Sequence, residues 1–232
     1  MLFRSVSRSA GWLADGTEFV HVAFGSVLGS DRKMLKSRSG ESVKLSALLD
    51  EAVERAASAI AEKNPAMPAD ERAQVARMVG IGAVKYADLS SDRIKDYVFD
   101  WDRMLSFEGN TAPYLQYAHA RICSIFRRAG LERESVRSAR PVLGNPRERE
   151  LALMLMRFDG AVRESLEGYH PHRLCTYLWD LASAFTSFYE NCPVLRAEDD
   201  DVRASRLLLC DTTARVLAQG LGLLGIGAPE QM

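Results

Sequence analysis

The chain has 232 residues, 47% hydrophobic and 26% charged, enough to bury the core of one large domain or two small ones. Its formal net charge is -1, so the molecule as a whole offers no basic field to a nucleic acid. No apolar run is long enough to cross a bilayer, and the first residues lack the apolar core of a signal peptide. Four cysteines without a CxxC pair disfavour a zinc site or a disulfide framework and favour buried thiols in a reducing cytoplasm. They are Cys123, Cys175, Cys192 and Cys210.

The first forty residues contain a predicted short helix, a strand candidate and a loop. Residues 1–13 are predicted to be helical, and residues 18–24 alternate and are rich in β-branched and aromatic side chains, as strands are. A strand there has no partner sheet in this sequence, so we expect an exposed edge that is poorly ordered or covered by another chain. A loop with three glycines and several basic residues follows, over residues 25–40.

That loop is a candidate phosphate-binding segment. Lys33, Lys36 and Ser37 offer mobile charges and a hydroxyl group between glycines, a combination that can hold a polyphosphate. The GxxxxGK[ST] spacing of a Walker loop is absent, and basic loops that bind no phosphate are common. From residue types alone, an ordinary basic loop is the stronger interpretation.

From Lys44 onward the apolar residues recur at helical spacing. The predicted helices cover residues 44–62, Asp70 through Tyr86, Trp101 to Leu105, Pro113 to Ala129, Pro146 to Met156, a shorter stretch to Leu166, Pro171 to Asn191, and Val202 to Leu224. Residues 88–98 fit neither a helix nor a strand clearly. The last two helices carry matched apolar seams and one proline-containing connection, so they should pack antiparallel. The sequence therefore predicts a mainly α fold, a helical bundle with one strand at its front.

Patterns typical of hydrolytic or metal-dependent catalysis are missing. No His-Glu-x-x-His, Gly-x-Ser-x-Gly or paired-carboxylate pattern occurs. His119 is interpreted as a half-buried packing residue rather than a base. His170 and His172 flank a proline near a predicted helix start, where metal binding is a second interpretation behind a structural one. No metal site is expected.

Basic residues are concentrated locally even though the whole chain is close to neutral. Eight arginines and three glutamates lie between Arg121 and Arg149. Such a surplus can meet phosphates. Charge alone favours a solvated helical surface over a phosphate-binding one.

The helix after Pro113 has a face that suits unpaired nucleotides. Tyr117, Arg121, Ser124 and Arg128 follow at i, i+4, i+7 and i+11, so they share one side of the helix. Rings can stack on bases, guanidinium groups can meet phosphates, and the free N–H groups of the helix start favour anions. Packing of this face against another helix explains the pattern equally well.

Residues 79–130, which contain DYVFDWDRMLSFEGNTAPYLQYAHARICSIFRR, closely resemble arginyl-tRNA synthetase, a class I aminoacyl-tRNA synthetase. Residues 19–56 resemble the signature loop of that family and the helix behind it. Residues 172–195 and 214–232 resemble its C-terminal anticodon-binding domain, of the DALR type. The resemblance covers essentially the whole chain.

The resemblance implies three parts. Residues 1–43 would be a remnant of the α/β catalytic domain with a KMSKS-type loop, residues 44–109 a connecting helical region, and residues 110–232 an anticodon-binding helical bundle. The HIGH-type motif, the nucleotide-binding fold and most of the arginine pocket of the family do not occur in this sequence.

Roles for individual residues also follow from the resemblance. Lys33 to Ser37 correspond to the KMSKS-type loop, in which Lys36 would act catalytically on the ATP phosphates and Lys33, Lys36 and Ser37 would bind ATP. Leu35 stands where the pattern has serine, a departure this family tolerates. The residues implied to contact the tRNA are Asn110, Tyr114, Tyr117, Arg121, Tyr189 and Met232.

The implied reaction of the complete enzyme is ATP- and Mg²⁺-dependent activation of arginine and its transfer to tRNA(Arg). The 232-residue chain alone is expected to bind no cofactor and to charge no tRNA, because catalysis requires all groups of the site together. Its expected partners are tRNA(Arg) and, as one candidate, a separate chain that carries the catalytic half. Binding to DNA or to a membrane is not expected. The alternative is a non-catalytic, truncated paralogue that binds tRNA or a partner protein. A neighbouring reading frame encoding the other half would favour a split enzyme.

Overall fold

The computed structural model describes residues 2–14, 16–18, 20–29, 32 and 44–232. Over these residues the fold is mainly α, as predicted, with two short strands, β1 (Val27–Leu28) and β2 (Tyr97–Val98). The helices are α1 (Leu2–Ser9), α2 (Leu45–Lys63), α3 (Ala69–Leu89), α4 (Trp101–Met104), α5 (Ala112–Ala129), α6 (Pro146–Met156), α7 (Phe158–Glu167), α8 (Pro171–Asn191) and α9 (Asp200–Leu223), with a 3-10 turn at Arg133–Val136. Within the described ranges, none of these helices is long and apolar enough to cross a membrane.

The strand predicted over residues 18–24 is wrong for the residues described there, which have no regular secondary structure. A two-residue strand, β1, forms further along the chain instead and pairs in parallel with β2. Phe24, at the end of the predicted strand, is 86% exposed. An alternating apolar pattern becomes a strand only where a partner supplies hydrogen bonds and a packing surface. In the described part of the chain, β2 supplies two residues of such a partner.

Helix ends follow the local signals expected from the sequence. Asn145 caps α6: its Oδ1 accepts a hydrogen bond from the Arg147 N–H at 2.9 Å, and Glu148 Oε2 accepts one from the Asn145 N–H at 2.8 Å. Pro113 lies in the first turn of α5, and Gly130 ends that helix with a left-handed φ of 61°. The boundaries of these two helices are thus encoded locally.

The main core lies between α5, α8 and α9, and α6 and α7 also pack against α8. The predicted seams are buried: Leu174, Leu178, Leu181, Phe185, Phe188, Leu207, Cys210, Ala214, Leu217, Leu221 and Leu224. Two contacts show that α8 and α9 pack antiparallel. Gly220, near the end of α9, lies against Leu178 in the first half of α8. At the other end, Arg206 Nη1 of α9 donates to the Pro193 carbonyl just after α8. All four cysteines are buried, as expected.

A second hydrophobic cluster joins α2 and α3. Ala56 and Ile60 of α2 pack on Val75 and Val79 of α3. Leu45, expected on the same apolar stripe, is 67% exposed, because it lies in the first turn of α2 beyond the contact with α3. Packing between these helices brings the end of α2 beside α5.

The loop after α3 ties the front of the chain to the helical bundle. The Arg93 guanidinium donates to the carbonyl oxygens of Ala23 at 3.0 Å, Gly168 at 3.1 Å and Tyr169 at 3.0 Å. The Ser26 N–H donates to Asp96 in the same loop. These bonds fix the loop against the segment that precedes α8.

Candidate nucleic-acid interface

The N-terminus of α5 is held by its own turn. Thr111 Oγ1 accepts a hydrogen bond from the Tyr114 N–H at 3.3 Å, and its hydroxyl donates to the Ser106 carbonyl at 2.6 Å. Gly109 precedes it with a φ of 78°, a conformation that glycine adopts without strain. The turn therefore sets where the aromatic and basic face of α5 begins.

Four of the predicted tRNA contacts meet in one cleft. Tyr117 and Arg121 of α5, Tyr189 of α8 and Met232 of the C-terminal segment line an open cleft of about 500 Å³. All four side chains are half-buried, so each packs on the protein and keeps a surface toward solvent. We call this set, with the other residues that line it, the α5–α8 cleft. The other lining residues are Asn64, Ala120, Ser124, Arg127, Arg128, Glu190 and Gln231.

Rings and cations alternate along the cleft. The Arg121 guanidinium lies 4.8 Å from the ring centroid of Tyr117 and 5.9 Å from that of Tyr189, and its Nη2 donates to the Tyr117 hydroxyl at 3.3 Å. This hydrogen bond, together with the charges of Arg121 and Lys63, lowers the pKa of Tyr117 despite partial burial. Beside the cleft, Lys63 Nζ at the end of α2 lies 4.3 Å from the Phe107 ring centroid and 5.9 Å from that of Tyr117. The site thus combines π faces with positive charge.

Side chains of α3 and α5 hold the backbone of the segment after α9. Lys85 Nζ donates to the Gly225 carbonyl at 2.6 Å, and Gln116 Nε2 donates to the Gly227 carbonyl at 2.7 Å. His119 Nδ1 lies 2.9 Å from the Pro229 carbonyl oxygen.

Arg127 Nη1 completes this set by donating to the Glu230 carbonyl at 3.0 Å. The segment from Gly225 to Met232, called here the C-terminal strap, is therefore fastened at four successive points along α5 and α3. Its last residue, Met232, packs against the α2–α3 cluster at the edge of the cleft. The strap forms one wall of the α5–α8 cleft.

Two predicted contacts lie outside this cleft. Asn110 Oδ1 is 2.6 Å from the Tyr86 hydroxyl, in a separate cavity beside α3. The Tyr114 hydroxyl is 3.3 Å from Thr186 Oγ1 of α8, and its ring packs against the main core. Both residues flank the start of α5, but the structure does not bring them together with the other four.

Five of the eight arginines between Arg121 and Arg149 fall into two groups. Arg133 Nε and Arg137 Nε donate to the two carboxylate oxygens of the fully buried Asp211 at 2.9 and 3.2 Å, so they hold the fold together. Arg127 and Arg128 line the cleft beside Arg121. The local charge predicted from the sequence is therefore partly structural and partly available to a ligand.

The sequence comparisons agree with the architecture. Residues 115–232 match the family model of the DALR anticodon binding domain, and residues 1–101 match that of the catalytic domain of class I tRNA synthetases (R). The chain belongs to the arginyl-tRNA synthetase family. Its helical bundle is the anticodon-binding domain of that family, and its front corresponds to part of the catalytic domain.

Relatives of this synthetase family align with nearly the whole chain. The arginine–tRNA ligases of Cellvibrio japonicus and Frankia casuarinae are 53% and 56% identical over 98% and 97% of it. A structure of Thermus thermophilus arginyl-tRNA synthetase superposes with a TM-score of 0.81 at 41% identity, covering 91% of this chain and 35% of its own. The chain spans 39% and 38% of the length of those two ligases.

The residues assigned to the KMSKS-type loop of the synthetase, Lys33, Lys36 and Ser37, lie outside the described residues. Their roles therefore stay predictions from the resemblance, and no step of the ATP chemistry is derived from the structure.

The sequence did not single out Gln116 or Lys63 as residues of the interface, and it assigned His119 a packing role without its partner. Gln116 and His119 are buried, and both point their polar atoms at the C-terminal strap. Lys63 comes from a helix that ends more than fifty residues before Tyr117 in the sequence. The available signal was two polar residues on the buried side of α5, which mark an obligatory hydrogen-bond partner.

Proposed function

We propose that the α5–α8 cleft binds the anticodon stem-loop of an arginine tRNA. The observation that carries this proposal is the convergence of Tyr117, Arg121, Tyr189 and Met232 from three separated segments into one cleft. Each of these four side chains is half-buried, so each keeps a surface that no neighbouring element covers. Membership of a family with an anticodon-binding domain supports the same ligand.

The cleft has the chemistry that an unpaired loop requires. Half-buried tyrosines offer ring faces to unpaired bases, and the neighbouring guanidinium groups offer donors to the phosphates between them. Arg121 spans both functions, because it lies over the Tyr117 ring and can meet a phosphate from the same position. Arg127 and Arg128 extend the positive edge toward the strap.

Affinity for a synthetic stem-loop of tRNA(Arg), measured by filter binding, tests this proposal. Tyr117→Ala and Arg121→Ala should each weaken binding by about 1–3 kcal/mol, roughly 5- to 150-fold, because each removes a stacking or charged contact. The matched controls are Tyr169→Ala and Arg163→Ala, which alter an exposed tyrosine and an exposed arginine outside the cleft. Equal affinities for the cleft variants, the controls and the unchanged chain would overturn the proposal.

Within a complete synthetase, we propose that the chain contributes to arginine activation with ATP and Mg²⁺ and to charging of tRNA(Arg) in the cytoplasm. Lys33, Lys36 and Ser37 would hold the ATP phosphates. The chain would then comprise a part of the catalytic domain (residues 1–43), a connecting helical region (44–109) and an anticodon-binding bundle (110–232). The arginine–tRNA ligase names of the relatives support this assignment.

The isolated chain is expected to recognise tRNA without activating arginine. An arginine-dependent ATP–pyrophosphate exchange assay on the 232-residue chain should show no turnover, because a HIGH-type motif does not occur in its sequence. Adding a chain that carries the other half of the catalytic domain should restore exchange if the two act as a split enzyme. No restoration, with stem-loop binding intact, would favour the non-catalytic paralogue. Exchange by the chain alone would contradict the expectation.

A further inference from the structure

A second cluster of functional side chains lies away from the α5–α8 cleft, where the loop after α3 meets the start of α8. His170 precedes α8 and His172 lies in its first turn, with ring centroids 5.3 Å apart. Asp92 comes from the loop between α3 and β2. One ring nitrogen of each histidine and one carboxylate oxygen all lie within 4.8 Å of one another.

The backbone around this cluster is built to keep the three residues together. Arg93 donates to the carbonyls of Gly168 and Tyr169, which fixes the neighbouring Asp92 opposite His170. Tyr169 takes a left-handed φ of 54°, which is rare for a residue other than glycine. A Cβ atom at Gly168 would overlap the His170 ring, so the ring is seated directly on the backbone.

The histidines have ring nitrogens that no group in the described part of the chain satisfies. Nδ1 of His170 and Nδ1 of His172 are both buried and have no hydrogen-bond partner there. Buried polar atoms are almost always paired with protein, water or an ion, since an unpaired one costs about 1–3 kcal/mol. A metal ion shared by the two adjacent imidazoles and the nearby Asp92 carboxylate is a partner that can take up lone pairs of the unprotonated ring nitrogens.

Side chains of both charge signs lie near His172. Burial lowers the pKa of His172, and the positive charges of Arg173 and Lys95 act in the same direction against the opposing effect of Asp92. The two cations weaken the attraction for a metal, and Asp92 offsets part of their effect.

We propose that Asp92, His170 and His172 form a site for a divalent transition metal of the zinc class. Two imidazoles and one carboxylate are borderline ligands that suit Zn²⁺, with water completing the coordination. Ligand atoms at about 2.0–2.2 Å from zinc lie roughly 3–3.6 Å from one another. Small side-chain rotations that move the ligand atoms by about 1 Å would bring them to this separation. The metal would clip the loop after α3 to the start of α8. The sequence favoured a structural role for the two histidines because Asp92 is distant along the chain.

Metal binding to the full untagged chain, stripped of metal, tests the site. Calorimetric titration should show one equivalent of Zn²⁺ bound with a dissociation constant below about 100 µM. Co²⁺ should give visible absorption bands, and Zn²⁺ should raise the melting temperature, since a ligand that binds the folded state stabilises it. No binding below that concentration would overturn the proposal.

Variants assign the ligands. His170→Asn, His172→Asn and Asp92→Asn should each weaken Zn²⁺ binding at least about tenfold and abolish the zinc-dependent rise in melting temperature. The control is His21→Asn, an exposed histidine outside the cluster, which should bind as the unchanged chain does. Circular dichroism confirms folding, and Asp92→Asn, on a loop, serves if a helix-start variant fails to fold. Zinc affinity that survives all folded variants of the cluster would place the metal elsewhere and refute the site.

Discussion

Replacing Gln116 should loosen the C-terminal strap and, through it, the α5–α8 cleft. Gln116 is fully buried, and its Nε2 donates to the carbonyls of Gly227 at 2.7 Å and Met78 at 3.2 Å. Gln116→Met keeps an unbranched side chain of similar length and removes both donors. Each hydrogen bond contributes about 1 kcal/mol. Its Oε1 has no partner among the described residues, so losing that buried oxygen offsets part of the cost. We expect the free energy of unfolding to fall by about 1–2 kcal/mol.

The same substitution should weaken RNA binding, because the strap carries Met232 to the edge of the cleft. Urea denaturation measures the first effect, and filter binding to the tRNA(Arg) stem-loop measures the second, expected at about 3- to 10-fold. The matched control is Thr213→Val, which removes a buried hydroxyl that donates to the Leu209 carbonyl at 2.8 Å, away from the strap. It should lower stability by about 1 kcal/mol and leave RNA affinity unchanged. If Gln116→Met lowers stability but binds RNA normally, the strap does not shape the cleft.

Two further predictions concern stability. Asp211→Asn should lower the free energy of unfolding, measured by urea denaturation, by about 2–4 kcal/mol. This loss is smaller than the roughly 3–5 kcal/mol of a fully buried ion pair, because Arg133 and Arg137 are partly exposed. A loss under about 0.5 kcal/mol would refute a structural role for those arginines. Burial, opposed by the Pro229 carbonyl, lowers the pKa of His119, so the unfolded chain binds more protons below about pH 6.5. Stability should therefore fall on acidification below that pH, and His119→Asn should flatten this part of the profile; an unchanged slope would contradict the assignment.

Much of the helical architecture could be predicted because its signals are local. The capping residues Asn145 and Glu148, Pro113 in the first turn of α5 and Gly130 at its end act through neighbouring backbone groups, so a linear sequence contains them. The seams of α8 and α9 are also local patterns, and antiparallel packing follows from a short connection. The strand over residues 18–24 failed because strands depend on partners elsewhere in the fold.

The cleft was only partly predictable for the same reason. The face of Tyr117 and Arg121 is visible as helical spacing, but periodicity cannot show whether another helix covers it. Tyr189 and Met232 joined the prediction through family resemblance, not spacing. Lys63 lies beside Tyr117 because α2 packs on α3, a tertiary contact that no local pattern reveals. Asp92 and His170 also meet through a tertiary contact, between the loop after α3 and the start of α8.

Photo-cross-linking tests recognition by the cleft most directly. A tRNA(Arg) anticodon stem-loop with 4-thiouridine in the loop would be irradiated with the full chain, and the linked peptides mapped by mass spectrometry. Binding in the α5–α8 cleft predicts cross-links on peptides that contain Tyr117, Tyr189 or Met232. An unlabelled stem-loop in excess should compete them away. Efficient cross-links confined to peptides outside the cleft would contradict the account.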